Sequence, residues 1–204
     1  MRKRKSRKLD LRPTVRIYCE GKTEENYFNM LKQKYHQANI SVNSRYPIKV
    51  KNMSRSGMAL LHDVLVDPKI NVQDRIYLVF DHDEHSSEEL LKCFDQAKKS
   101  KYNITILFSN ICFEVWILMH FRPVTAIYTR KQLFSKLSGK NYFNEEYSRN
   151  KGQKINILYD KVATAKKNAD RISSPSDQST KIIKKDPYTN VNLHLKEIFQ
   201  TDQY

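Results

Sequence analysis

Glycine is scarce in this 204-residue chain, with four in all. That leaves no glycine-rich phosphate loop of the ATPase kind, so any coupled ATP hydrolysis has to come from a partner ATPase. Cysteine is nearly as rare. Cys19, Cys93 and Cys112 lie far apart inside apolar stretches, with no CxxC pair. That excludes a disulfide framework and a zinc-binding cysteine set, and it fits buried thiols in a reducing cytoplasm, the localisation expected here. Long hydrophobic runs are missing as well. The longest, Ile111 to Phe121, is broken by Glu114 and His120 and is too short to span a bilayer. The basic N-terminus has no apolar stretch behind it, so it does not read as a secretory signal. No GxSxG elbow is present, and Cys112 has no polar neighbour to activate it as a nucleophile.

What is abundant is positive charge, and it is unevenly placed. The net charge is +15: residues 1–13 carry +6, residues 14–121 only +1, residues 122–189 +9, and the last 15 residues −1. A nearly neutral centre with cationic flanks can grip a polyanion at its edges while other chemistry proceeds in the middle. The expected contacts are Arg2, Lys3, Arg4 and Lys5 in the N-terminal arm, Lys22 beside the centre, and Lys166, Lys167, Lys184 and Lys185 in the C-terminal part. The partner they imply is nucleic acid, DNA or RNA, with no membrane role and no oligomeric state set by the sequence.

Periodicity divides the chain. Met1 to Pro13 has little to bury and reads as a disordered basic arm. Thr14 to Cys19 and Arg75 to Phe80 are β-branched, apolar runs that read as buried strands. Asn103 to Phe108 reads as another, and Pro47 to Val50 as a shorter one. Between them, Lys22 to His36, Gly57 to Val66 and Ser86 to Lys99 repeat apolar residues at helical spacing, the last with Ser86 or Ser87 as cap. Such alternation predicts an α/β core over 14–121, a parallel sheet flanked by helices, with every strand's C-terminal end on one edge. After Pro123 the pattern turns basic and mainly helical, with helices over Arg130 to Leu137, Lys154 to Ile172 and Asn190 to Gln200. Residues 122–204 therefore read as a basic helical C-terminal extension.

Two acidic groups follow the two strongest strands: Glu20-Gly21-Lys22-Thr23-Glu24 and Asp81-His82-Asp83. A glycine after Glu20 permits a tight turn into the helix, and Glu24 lies one turn further on the same side. The Asp81 and Asp83 side chains face one way if strand geometry persists, with His82 facing away. Four carboxylates at one place repel one another unless a cation sits between them. Hard oxygen ligands suit Mg2+ or Mn2+. Such ions activate water and polarise phosphoryl groups, in pairs when about 3.5–4 Å apart. Either acidic group alone would read as an ordinary cap or turn. Glu114 is costly to bury in its apolar run unless it ligates or pairs, so it is either a further site acid or half of an ion pair with the C-terminal part. Asn110 reads as a helix cap, His120 as a core histidine, and His85 and Glu84 as groups behind the ligands.

These residues carry a resemblance. Cys19 to Phe28 and Leu78 to His85, about 60 residues apart, resemble the two motifs of the TOPRIM domain shared by topoisomerases, primases and overcoming-lysogenization-defect nucleases. The family's glutamate after the first strand matches Glu20, and its DxD matches Asp81 and Asp83. Glu24 matches the second glutamate of the nuclease branch. The chain resembles in particular the RloB-like proteins of bacterial defence loci, through Ser109 to Phe121 and through Asp186 to Val191 as well. Ile111 and Asp186 depart from that pattern, where proline and asparagine are expected. The resemblance implies a TOPRIM-like core, a nuclease acting in anti-phage defence by abortive infection, a metal held by Glu20, Glu24, Asp81 and Asp83, and a nearby ATPase. Glu20, Asp81 and Asp83 would be the catalytic set, with Glu20 as ligand or general base and Glu114 as a further metal-ligand candidate. The alternative is a non-catalytic nucleic-acid-binding or regulatory subunit. A primer-making activity lacks its zinc set, and a tyrosine transesterase lacks room for the second domain it needs.

Overall fold

A computed structural model describes residues 13–37, 46–82, 85–150, 153–201 and 203–204. The expected residues Arg2, Lys3, Arg4, Lys5, Asp83 and Glu84 lie outside the described residues. The first part of the chain alternates strand and helix: β1 Val15–Cys19, α1 Lys22–Gln37, β2 Ile48–Asn52, α2 Gly57–Leu65, β3 Arg75–Asp81, α3 Ser87–Lys99 and β4 Asn103–Asn110. There follow α4 Glu114–Met119, α5 Arg130–Leu137, α6 Tyr147–Asn150, a 3-10 segment Ile155–Lys161, α7 Val162–Ala169, α8 Ser179–Ile182, β5 Tyr188–Thr189 and α9 Val191–Phe199.

The five strands form one sheet in the order β2-β1-β3-β4-β5. β1 to β4 are mutually parallel, and β5 runs antiparallel to β4. The α/β expectation is met: a mostly parallel sheet with helices on its faces. In β3, Tyr77 and Val79 turn to one face, packed with α1, α4, α7 and α9. Ile76, Leu78 and Phe80 turn to the other, packed with α2, α3 and α8. This alternation is why the run Arg75 to Phe80 is apolar throughout: both faces are covered. α4 is apolar apart from Glu114 because it is buried all round.

The end of the sheet remote from the acids is pinned by Asp74, which is fully buried. Its carboxylate accepts from Thr14 N at 2.8 Å, Asn71 N at 3.0 Å and Arg16 Nε at 2.6 Å. Burial pushes the Asp74 carboxyl up, but the Asn71 amide, Arg16 and the Thr14 amide outweigh that and hold it below its ordinary value. These bonds tie the start of β1 to the start of β3.

Three local expectations change. Asn110 is not a helix cap but the last residue of β4, and its Nδ2 donates to the carbonyls of Ile183 at 3.4 Å and Lys185 at 2.8 Å. The apolar run from Ile111 yields a helix only over Glu114–Met119. Lys154 to Ile172 is a 3-10 segment followed by the shorter α7 rather than one helix.

Candidate functional site

The order β2-β1-β3-β4 reverses direction between β1 and β3, so their C-terminal ends flank the topological switch point, where open α/β sheets leave a crevice for ligands. β1 delivers Glu20 to it and β3 delivers Asp81. The two strand ends are joined there: Glu20 N donates to Val79 O at 2.9 Å, and Asp81 N donates to the Glu20 carboxylate Oε2 at 3.3 Å.

Strand parity decides which helix meets which acid. Asp81 continues the Tyr77, Val79 series and so faces α1 and α4, which bring Glu24 and Glu114. Glu20, one residue past the buried Cys19, turns to the α2 side. There Ser56 Oγ donates to Glu20 Oε2 at 2.8 Å, and His85 Nε2 lies 2.7 Å from Ser56 Oγ. With the serine proton committed to Glu20, His85 is the donor of that second bond. The sequence reading placed His85 behind the ligands but missed Ser56. Its position before Gly57 is the usual one for a helix cap, yet its hydroxyl makes no cap bond and serves Glu20 instead.

Two of the four glycines make room for this arrangement. A Cβ on Gly21 would stand 2.8 Å from Glu24 Oε2, so a larger residue there would make the Glu24 carboxylate shift from its present position. Gly57 has φ of +50°, and a Cβ there would come 2.8 Å from His85 Cε1. Scarce glycine is thus spent beside the acids.

Asp81 and Glu114 are 6% and 3% exposed, and Glu24 is 6% exposed. Burial pushes the Asp81 carboxyl well above the ordinary carboxylate range, reinforced by the charges of Glu24, Glu114 and Glu20 and opposed by the Phe113 amide. Asp81 Oδ1 is buried without a hydrogen-bond partner among the described residues. The C-terminal part reaches the site through Tyr147, whose hydroxyl donates to Glu114 Oε1 at 3.4 Å. No pattern in the polar stretch around Tyr147 signals that role. Burial, with Glu114 and Asp81 adding to it, raises the Cys112 thiol far above its usual range, so it stays protonated and is no activated nucleophile.

In chemistry this donor set fits a hard divalent cation: carboxylate oxygens only, one of them buried and unsatisfied, crowded so that ionising them together is costly. In geometry, no group of three or more His, Cys, Asp or Glu side chains among the described residues is placed to hold a metal ion. Glu20, Glu24 and Glu114 are each near enough to Asp81 to act on it electrostatically; Asp83 lies outside the described residues.

Of the expected nucleic-acid contacts, Lys22, Lys166, Lys167, Lys184 and Lys185 lie within the described residues. Lys22 is exposed and pairs with Glu25 at 2.6 Å. Lys166 pairs with Asp170 at 3.1 Å, and Lys185 with Asp177 at 2.7 Å. Lys167 and Lys184 are exposed. His120 is the core residue expected, its Nδ1 3.0 Å from Trp116 O and its Nε2 3.1 Å from Tyr27 Oη. No helix among the described residues is long and apolar enough to cross a membrane.

The family model described as RloB-like protein matches residues 15–198. No curated protein and no solved structure matches the chain.

Proposed function

The chain belongs to the RloB-like protein family, and we propose that it is a metal-dependent nuclease of the TOPRIM type that hydrolyses DNA or RNA phosphodiester bonds with Mg2+ or Mn2+. The observation that carries this reading is Asp81: a buried carboxylate with an unsatisfied oxygen, crowded by Glu24, Glu114 and Glu20 at the switch point of a parallel sheet. Leaving such a group uncompensated is destabilising, and a site that tolerates it is a candidate for function.

Asp81, Glu24 and Glu20 would hold the cation, with Asp83 completing the set and Glu114 adding charge from the α4 side. A bound divalent ion supplies an activated water and electrostatic relief for the phosphoryl oxygens. Ser56 and His85 fix the Glu20 carboxylate by the relay just described, which suits Glu20 to hold a ligand or accept a proton at a set position. The cationic arm and the C-terminal lysines would retain the polyanion. Likeness to proteins of bacterial defence loci supports a role in abortive infection, with an associated ATPase supplying the nucleotide chemistry this chain lacks.

The test is Asp81→Ala and Asp81→Asn against the parent, assayed on labelled DNA and RNA with Mg2+ or Mn2+. We expect cleavage to fall by at least about a hundredfold, as removal of a key charge-stabilising group does, with circular dichroism unchanged. Equal cleavage by variant and parent would reject the mechanism.

One observation favours a second reading, a non-catalytic nucleic-acid-binding or regulatory subunit: the absence, among the described residues, of three side chains placed to hold an ion. That reading expects salt-sensitive binding and no metal-dependent turnover, with or without a partner ATPase.

A further inference from the structure

One cleft of the described fold is lined by none of the site acids and by none of the described lysines that the sequence singled out. It measures about 850 Å³ and borders β2, the edge strand of the sheet among the described residues. Its cations come from four separate segments: Arg16 on β1, Lys32 on α1, Lys49 and Lys51 on β2, and Lys69 in the turn after α2. Arg16 is committed to Asp74 and to the carbonyl of Lys69. The ammonium groups of Lys32, Lys49, Lys51 and Lys69 have no acidic partner among the described residues, and the last three are exposed.

The acids in the same wall are already engaged. Asp67 accepts from Lys69 N at 2.9 Å and from Tyr18 Oη at 3.4 Å, and Asp63 lies 3.7 Å from Arg55 Nε. Asp67 keeps its charge, since its donors are neutral, so the four lysines leave an excess of about three positive charges around one concavity, a field that an anion would relieve. Lysine on an edge strand also serves to block edge-to-edge pairing. That role accounts for Lys49 and Lys51 but not for Lys32 and Lys69, which belong to other elements and converge on the same space.

Position and lining name the kind of anion. Lys49 and Lys51 are two residues apart on one strand, hence about 6.6 Å apart along it, an array suited to successive charges rather than to one. Val66, 62% exposed, and Pro68 add an apolar rim that a simple inorganic anion has no use for. The cleft also leads to the acids. Its floor, β1, runs from Arg16 through Tyr18 and reaches Glu20 two residues later. Its rim, β2, passes Met53 and reaches Ser56, whose hydroxyl donates to Glu20.

We infer that the cleft along the β2 edge, through Lys32, Lys49, Lys51 and Lys69, is a binding track for the phosphodiester backbone of a nucleic-acid strand directed at Glu20 and Asp81. It deepens the nuclease reading and rests on it for direction, but binding to the track needs neither metal nor turnover.

The experiment measures binding of labelled single-stranded DNA, single-stranded RNA and duplex DNA by fluorescence anisotropy in a chelator, across a salt titration. The full chain is compared with Lys49→Ala/Lys51→Ala/Lys69→Ala and with a charge-matched control, Lys101→Ala/Lys131→Ala/Lys140→Ala, whose sites are exposed elsewhere. The cleft variant should bind whichever probe the parent prefers on the order of tenfold to a hundredfold more weakly, with the salt slope reduced by about 3. The control should stay near the parent, and both should melt as the parent does. Asp81→Ala should bind like the parent, so an inactive parent that still binds through the cleft sinks the nuclease reading alone. The track itself is overturned if the parent binds none of the probes, if the cleft variant binds as the parent does, or if the control loses as much.

Discussion

Asp81 and His120 are both buried titratable groups, but they act on stability with opposite sign. Folding raises the affinity of the Asp81 carboxyl for its proton, chiefly by burial and then by Glu24, Glu114 and Glu20. Above the ordinary value of 3.8 the unfolded chain gives up that proton more readily than the folded one, so stability falls as pH rises unless a cation compensates. Asp81→Asn should raise the melting temperature of the metal-free protein, by about 2–4 °C for each kcal/mol gained in a chain of this size. Added Mn2+ should stabilise the parent more than the variant, and a variant that melts lower than the metal-free parent would count against a strained acidic centre. His120 is held neutral: burial drives its pKa down to about 3, against weaker raising contacts from Trp116 and Ile117 and with Lys161 and Lys34 lowering it further. Its contribution is intact above the ordinary histidine value of 6.5 and is lost as pH falls toward 3. Taken alone, that contribution declines below pH 6.5 with a slope approaching about 1.4 kcal/mol per pH unit, and Asp81 works in the opposite sense. His120→Phe leaves the Tyr27 hydroxyl without its partner and lowers stability at every pH, but urea midpoints should show a flatter decline between pH 6.5 and 4.5. An unchanged slope would place the acid sensitivity elsewhere.

At the scale of elements, what the sequence revealed and what it hid follow from length and from who supplies the hydrogen bonds. Runs such as Val15–Cys19 and Arg75–Asp81 are long, branched and doubly covered, so their pattern survives any context. The α3 start is legible because its cap is local: Ser86 Oγ accepts from Glu89 N at 3.3 Å, and Glu89 Oε2 accepts from Ser86 N at 2.9 Å. β5 was not legible, since two residues carry no period and its partner is 80 positions away. Asn190 extends that edge with its side chain, accepting from Phe108 N at 2.7 Å and donating to Ile106 O at 3.0 Å. A side chain doing the work of a strand leaves no propensity signal. Ser86→Ala should cost about 1 kcal/mol. Asn190→Ala should cost more, because two buried backbone groups lose their partners at roughly 1–3 kcal/mol each. Chemical denaturation of both variants tests the order; a Ser86→Ala loss equal to or larger than that of Asn190→Ala would contradict it.

At the scale of the whole molecule, the sequence named acids that the fold brings within electrostatic reach, Glu20, Glu24, Asp81 and Glu114, because each follows or opens an element with a strong local pattern. It missed Ser56 and Tyr147, whose roles exist only once distant segments meet. The same dependence governs folding. Val15, Ile17 and Tyr77 from the strand-helix half share one core with Leu133, Leu158, Ala165, Val191, Leu195 and Phe199 from the later half. α4, with every residue from Glu114 to Met119 buried, is covered partly by α5 and α7, and Asn168 Nδ2 donates to Met119 O at 2.8 Å. Cutting the chain after Phe121 would therefore strip cover from a helix that is apolar apart from Glu114 and expose Trp116, the single tryptophan. Residues 14–121 made alone should show no cooperative melt, and Trp116 emission should shift to longer wavelength than in the full chain. A fragment that melts cooperatively with a buried tryptophan would mean that the later helices only decorate a self-sufficient sheet. In that case Tyr147 could not be needed to seat Glu114, and Tyr147→Phe should leave any metal-dependent property of the full chain untouched.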